Sequence, residues 1–208
     1  MIASAVSNAA GAPSARAVPH FVISAESAAD VSARENLLDR AMGPGRRRKA
    51  SESIRRGRQP ADGLSLVAKA EDGHLLGTVR LWHVAAGETG TPALMLGPLA
   101  VAPELAGCGI GVALMRRAIA EAQWRGHAAI VLVGDPEYYA RFGFTAEPAA
   151  GLAMPGPFER HRLLGLQLKP GALAQATGLI RPTGIRAAAS RASAPTPAAP
   201  QSAAATGA

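Results

Sequence analysis

The sequence predicts an α/β protein with a central mixed sheet flanked by helices. Segments with the alternation of strands and segments with helical periodicity follow one another along the chain. Two continuous apolar runs, residues 94–101 and 129–133, are typical of strands buried on both faces. A glycine-rich turn at residues 105–111 connects the first of these runs to an amphipathic helix. Together these three observations favour a layered α/β fold over an all-helical or all-strand one.

The predicted elements can be given in chain order. They are a strand at 21–24, helices from Ser27 or Asp30 to about 42 and at 49–57, strands at 64–69, 75–84 and 94–101, a helix at 110–123, a strand at 129–133, a short helix at 136–142 and a strand at 163–168. Asp72-Gly73 is a hairpin turn signal between the second and third strands. Because proline cannot donate to a sheet ladder, Gly97-Pro98 predicts a bulge or a departure from the neighbouring strand.

Composition divides the chain into one domain and two tails. Residues 1–18 are rich in Ala and Ser, and residues from about 170 onward are rich in Ala, Pro, Ser, Thr and Gly. Such segments bury too little apolar surface to offset the entropy of ordering. We therefore expect a single domain at 19–171 between disordered tails at 1–18 and 172–208.

Charge and cysteine content restrict the class of protein. The formal net charge is +7, but Arg16, Arg181, Arg186 and Arg191 lie in the predicted tails, so the predicted domain is only mildly basic. The single cysteine, Cys108, excludes an intramolecular disulfide and a multi-cysteine metal site, and favours a cytoplasmic protein. No run approaches the roughly 18 to 20 apolar residues of a membrane helix, so we expect no membrane association.

The turn from Val101 to Gly111 is the segment best suited to chemistry. Glycines at 107, 109 and 111 allow positive φ and close backbone approach, and the N–H groups at the helix start favour anionic oxygens such as those of a pyrophosphate. A P-loop would need Lys and then Ser or Thr, whereas Gly111 precedes Val112. A dinucleotide fold carries its glycines after the first strand, not past mid-chain. A tight turn without a ligand remains an alternative.

A second motif, Tyr138-Tyr139-Ala140-Arg141-Phe142-Gly143-Phe144, follows the turn after one helix and one strand. Together with the Val-x-Pro-…-Gly-x-Gly-x-Gly turn and the order of elements, this motif carries a resemblance to a known family. Over about residues 21–171, the sequence resembles the GNAT superfamily of N-acetyltransferases. The segments at 134–136 and 154–157 are similar to a bacterial branch of predicted acetyltransferases. One departure is Ala106, where the family usually has Gln or Arg.

The resemblance implies a GNAT-like acyl-CoA N-acyltransferase fold with splayed strands and acetyl-CoA as cosubstrate, with no metal. It places the pantetheine arm along Leu99, Ala100 and Val101. It places the pyrophosphate on the turn, which consists of Ala106, Gly107, Cys108, Gly109, Ile110 and Gly111.

The resemblance also implies the chemistry. An amine attacks the thioester directly, the Val101 N–H stabilises the oxyanion, and Tyr139 donates a proton to the leaving thiolate. Tyr138 matches a position that is usually core, and Cys108 is not expected to act as a nucleophile. The base is not assigned, because the strand at 94–101 has no ionisable side chain; His83 or a chain of waters could serve.

The acceptor is predicted only as a primary amine of a small molecule or a protein, bound by a monomer or homodimer. Glu159, Arg160 and His161 are candidates for its pocket. A non-catalytic acyl-CoA sensor is the alternative function.

A basic segment consists of Arg46, Arg47, Arg48, Lys49, Arg55, Arg56 and Arg58. Three roles are open for this segment: a solvated face, contacts with coenzyme phosphates or an acidic substrate, and contacts with nucleic acid. Nucleic acid is not expected as a partner because no aromatic residue interleaves this segment.

Overall fold

The protein's structure, a computed structural model, describes residues 20–187. The strands are β1 (Phe21–Ala25), β2 (Ser65–Ala70), β3 (Leu75–Ala86), β4 (Thr91–Val101), β5 (Ala129–Val133), β6 (Leu152–Ala153), β7 (Leu163–Gln167), β8 (Gly178–Leu179) and β9 (Arg181–Pro182), and the helices are α1 (Val31–Met42), α2 (Ala50–Arg55), α3 (Ile110–Trp124) and α4 (Pro136–Ala140). Within this part of the chain, no helix is long and apolar enough to cross a membrane. The predicted tail at 1–18, and the predicted tail beyond residue 187, lie outside the described residues.

The main sheet is mixed, as the sequence predicts. Its strand order is β1-β2-β3-β4-β5-β7, and β9 pairs with the far end of β3. All neighbours are antiparallel except β4 and β5, which are parallel and are connected through α3. A parallel pair needs a crossover of this kind, since the chain must return to the same end of the sheet.

A bulge in β4 confirms the irregularity predicted at Gly97-Pro98. The register of β4 against β3 shifts where these two residues face the single residue Arg80. The indole Nε1 of Trp82 donates a hydrogen bond to the Gly97 carbonyl at 2.6 Å, which holds the bulge against β3.

Strand β4 separates from β5 after Met95, just before the bulge. The two strands pair only at Leu94–Ile130 and Met95–Val131, although β4 continues to Val101. The second half of β4 is therefore paired with β3 on one side and has an open edge on the other.

Helix α3 lies directly against β3 on one face of the sheet. A Cβ atom at Gly77 would lie 2.9 Å from Leu114 Cδ1 and 3.0 Å from Ile110 Cγ2, so only glycine allows this approach. Met115 and Ala118 are fully buried in the same core. This packing fixes the position of the helix whose first turn follows the glycine-rich segment.

The predicted domain boundary at residue 171 is wrong. Leu173, Ala176 and Ile180 are buried in the core on the opposite face of the sheet, and β9 pairs with β3 at Val84 and Ala85. The segment is rich in small residues, but two of its large apolar side chains, Leu173 and Ile180, are spaced so that both reach this core. Residues 172–187 therefore belong to the folded domain.

We expect Ile180→Ala to lower the free energy of unfolding by about 2–5 kcal/mol, because Ile180 is fully buried and its loss leaves a cavity. Leu179 is 39% exposed and provides a matched control, for which the change should stay within about 0.5 kcal/mol. Urea denaturation of both variants measures the difference. Equal effects would show that the segment does not contribute to the core.

Candidate active site

The glycine-rich turn forms a pocket of about 290 Å³ at the start of α3. Gly107 and Gly109 have φ values of 84° and 80°, so both require the left-handed conformation that favours glycine. The pocket is lined by Val101, Leu105, Ala106, Gly107, Gly109, Ile110, Gly111, Val112, Tyr138 and Arg141. Of the predicted turn residues only Cys108 is missing from this lining, because its side chain is buried. The pocket combines backbone N–H groups with the positive end of a helix dipole, which suits an anion.

Gly111 and Tyr138 differ from their predicted roles. Gly111 lies inside α3 and does not adopt positive φ; instead, a Cβ there would come within 3.0 Å of the Tyr138 hydroxyl. Tyr138 is therefore not a core residue, because its hydroxyl faces the turn pocket. Burial raises its pKa, so the hydroxyl stays protonated and can donate to an anion at neutral pH.

Arg141 is a residue of this pocket that the sequence analysis missed. Its guanidinium lies over the Tyr138 ring, 4.9 Å from the ring centroid. The two residues are three apart at the end of α4, and this spacing places them on one face. That spacing is the signal that could have identified Arg141. It adds a full positive charge to a pocket otherwise built from backbone dipoles.

The open edge of β4 presents backbone groups next to the pocket. The Ala102 N–H donates to the Leu76 carbonyl of β3 at 2.8 Å. Since successive residues of a strand alternate in direction, the N–H groups of Leu99 and Val101 point away from β3, toward the open edge. Ala100, between them, is in register with Thr78 of β3. Of the three predicted positions, Leu99 and Val101 therefore direct polar groups into the opening.

Tyr139 lies on the other side of this opening. It lines a cavity of about 100 Å³ together with Gly97, Pro98, Leu99 and Val133, among others. Its ring packs on the backbone of Gly134, where a Cβ would overlap it. Burial, and to a smaller extent the neighbouring Tyr138, raise the pKa of Tyr139 to about 12. The two tyrosines thus face different cavities, and Tyr139 is held as a neutral proton donor.

The candidate base His83 is not in the site. Arg80 and Trp82 of β3 face the α1–α2 side, and the alternation of a strand directs His83 to the opposite face, where its ring lies 5.5 Å from that of His127. Of the predicted acceptor residues, Glu159 lines a cavity of about 240 Å³ that shares Lys49, Ser51 and Val133 with the Tyr139 cavity. His161 is exposed and pairs with Glu159 instead.

Comparisons with known proteins agree with this geometry. A family model described as an acetyltransferase (GNAT) domain matches residues 61–146. An uncharacterized N-acetyltransferase from Escherichia coli K12, YjhQ, is 32% identical over 153 residues, covering 70% of this chain and 82% of the relative. The chain belongs to the GNAT family of acetyltransferases. The family predicted from the two sequence motifs is therefore confirmed. The predicted enzyme class, an acetyl-CoA-dependent acetyltransferase, is confirmed as well.

Solved structures of other family members share the fold of this acetyltransferase. A GNAT family N-acetyltransferase from Escherichia coli, YhbS, in complex with CoA matches with a TM-score of 0.66 at 26% identity, over 78% of this chain and 89% of the other. A GNAT family acetyltransferase from Brucella melitensis in complex with acetyl-CoA matches with a TM-score of 0.54 at 27% identity, over 73% and 90%. The GNAT-like fold predicted from the sequence is confirmed.

The acetyltransferase has only two tyrosines, so their ionisation can be followed directly. Because burial raises both pKa values, fewer than half of the phenols should be ionised at pH 10 in an ultraviolet titration. The variant Tyr139→Phe reports the ionisation of Tyr138 alone, and Tyr138→Phe reports that of Tyr139 alone. The transition in Tyr139→Phe should come at the lower pH of the two. The folded state holds these protons more tightly than the unfolded chain, so stability should fall as the pH rises from about 10 toward 12. A single transition at pH 10 would contradict the burial of Tyr139.

Proposed function

We propose that the protein transfers an acetyl group from acetyl-CoA to a primary amine of a small molecule or protein by direct attack. The observation that carries this proposal is the open edge of β4. It directs the N–H groups of Leu99 and Val101 into the gap between a pocket suited to an anion and a cavity that contains a protonated tyrosine. Phosphate site, strand edge and proton donor follow one another along one path, in the order that the parts of acetyl-CoA require.

In this proposal the pyrophosphate of acetyl-CoA lies on the turn from Ala106 to Gly111. Backbone N–H groups bind most of its oxygens, and Arg141 and the Tyr138 hydroxyl add a charged and a neutral donor. The pantetheine arm extends along the open edge of β4 as an added strand would. The similar structures from Escherichia coli and Brucella melitensis, which contain CoA and acetyl-CoA, support this assignment.

The chemical step proceeds at the inner end of this path. The amine nitrogen forms a bond to the acetyl carbon, the Val101 N–H donates to the oxyanion, and the carbon–sulfur bond breaks. The leaving thiolate takes a proton from Tyr139, which recovers it from solvent, and the new ammonium releases its extra proton to water. With a pKa of about 12, Tyr139 stays protonated across the physiological range.

We expect Gly109→Asp to weaken acetyl-CoA binding far more than Gly109→Asn. A Cβ at Gly109 projects into open space, and Asn and Asp tolerate its φ of 80° comparably, so the two variants differ mainly in charge. The aspartate would repel the pyrophosphate at close range. Isothermal titration calorimetry with acetyl-CoA measures both affinities, and equal values would contradict a phosphate on this turn.

The two tyrosines should separate binding from chemistry. Tyr139→Phe should lower kcat by about 10²- to 10⁴-fold with acetyl-CoA affinity retained, since it removes only the proton donor. Tyr138→Phe should raise the KM for acetyl-CoA and leave kcat nearly unchanged, because its hydroxyl faces the phosphate pocket. Free thiol release, measured at saturating and limiting acetyl-CoA, distinguishes them. Tight binding of acetyl-CoA without turnover on any amine would instead favour the acyl-CoA sensor.

A further inference from the structure

An open cavity of about 490 Å³ lies where α1 and α2 face β3. Its volume is within the roughly 300–1,000 Å³ of small-molecule sites. Arg55 and Pro98 line both this cavity and the Tyr139 cavity, so the two are adjacent. It shares no lining residue with the turn pocket. The cavity therefore lies next to the proposed reaction centre and is separate from the proposed phosphate site.

Part of the charge around this cavity is compensated. Six arginines and two glutamates line it. Arg46 is buried between Glu35, at 2.5 Å, and Asp39, at 2.6 Å. Arg55 pairs with Glu52 at 2.6 Å. These ion pairs fix the positions of the Arg46 and Arg55 side chains in the cavity wall, because each guanidinium lies against a carboxylate.

Arg80 also has a carboxylate partner, Glu26, 3.2 Å away behind the wall, which it shares with Arg34. Its guanidinium lies 5.0 Å from the centroid of Trp82, the aromatic residue of the lining. Trp82 is only 5% exposed and donates its N–H to the bulge. Among the described residues that line it, the cavity therefore has no exposed ring on which a nucleobase could stack.

Three guanidinium groups keep an excess positive charge. Arg56 donates to the carbonyl of Arg47 at 3.1 Å, and Arg58 donates to the carbonyl of Gly184 at 2.6 Å. A carbonyl accepts a hydrogen bond but does not cancel the charge of the donor. Arg47 reaches Glu35 only at 3.5 Å, and that carboxylate already binds a closer arginine.

We propose that this cavity is the acceptor site and that the acceptor is a small amine carrying a carboxylate or phosphate group. This inference rests on the proposed function and goes further by naming the substrate class. Arg47 and Arg56 bind the oxyanion, for which a guanidinium supplies paired donors in fixed geometry. The amine end extends past Pro98 toward Leu99 and the open edge of β4. Arg58 contributes charge while it holds the segment near Gly184.

The test compares amines that differ only in the anionic group. Suitable pairs are 4-aminobutanoate with 4-aminobutanamide, and 2-aminoethyl phosphate with 2-aminoethanol. Each is assayed with the full-length chain and acetyl-CoA by free thiol release. Each is also titrated calorimetrically into the CoA-loaded protein, at constant ionic strength set with chloride. Separate carboxylate and phosphate pairs show which of the two oxyanions the site accepts.

The decisive variant is the double substitution Arg47→Gln and Arg56→Gln. Neither side chain contacts the turn pocket, so CoA affinity should be unchanged. Arg48→Gln is the matched control, since Arg48 belongs to the same basic segment but does not line the cavity. We expect the wild type to bind an anionic member at least about tenfold more tightly than its neutral partner. The double variant should lose this preference, and Arg48→Gln should keep it.

The outcomes separate this inference from the function on which it rests. Thiol release with equal or greater preference for neutral amines would overturn the acceptor class and leave the acetyltransferase mechanism standing. If the CoA-loaded protein binds neither anionic probe, the proposed acceptor class is also overturned, whether or not the protein acetylates other amines. If the wild type does not bind CoA, the proposed function is overturned instead. Binding of anionic probes that is equal in wild type and double variant would remove the role of Arg47 and Arg56.

Discussion

The separation of β4 from β5 is the constraint on which the site depends. At Leu94 and Met95, β4 has strand neighbours on both sides; beyond Met95, it keeps only β3. Unpaired backbone groups inside a protein are costly unless they find a partner. An extended ligand that pairs with Leu99 and Val101 supplies that partner. The fold thus creates an incomplete sheet at its centre, and the proposed cosubstrate completes it.

Several local features keep the two strands apart. Pro98 cannot donate to a ladder, and the Trp82 indole fixes the Gly97 carbonyl toward β3. On the β5 side, the chain leaves the sheet after Val133, and the carboxylate of Asp135 caps α4 by accepting from the Glu137 N–H. The helix that carries both tyrosines therefore starts where the strand ends. The position of each hydroxyl follows from this short connection.

Features set by neighbouring residues could be predicted from the sequence, whereas features set by distant contacts could not. The bulge, the cap at Asp135 and the glycines at 107 and 109 follow from the local chemistry of Pro, Asp and Gly. By contrast, the depth of Arg46 depends on carboxylates of α1, and the burial of Leu173 and Ile180 depends on a core built by other strands. Residues 172–187 were predicted to be a tail because their average composition contains no information on how a few large side chains are spaced. The role of Tyr138 likewise required its distance from Gly111.

Burial also explains how a tyrosine with a pKa of about 12 can serve as the acid. A free thiol has a pKa of about 8.5, so proton transfer from Tyr139 to a solvated thiolate would be strongly uphill. The proposed thiolate does not leave into water, however. It forms next to the buried Tyr139 phenol, where burial disfavours its charge as it disfavours the phenolate, and both pKa values rise together. Two cationic side chains, Lys49 and Arg55, also line the Tyr139 cavity, and the charge of Arg55 is compensated by Glu52. Burial therefore keeps Tyr139 protonated and at the same time makes the departing sulfur more basic.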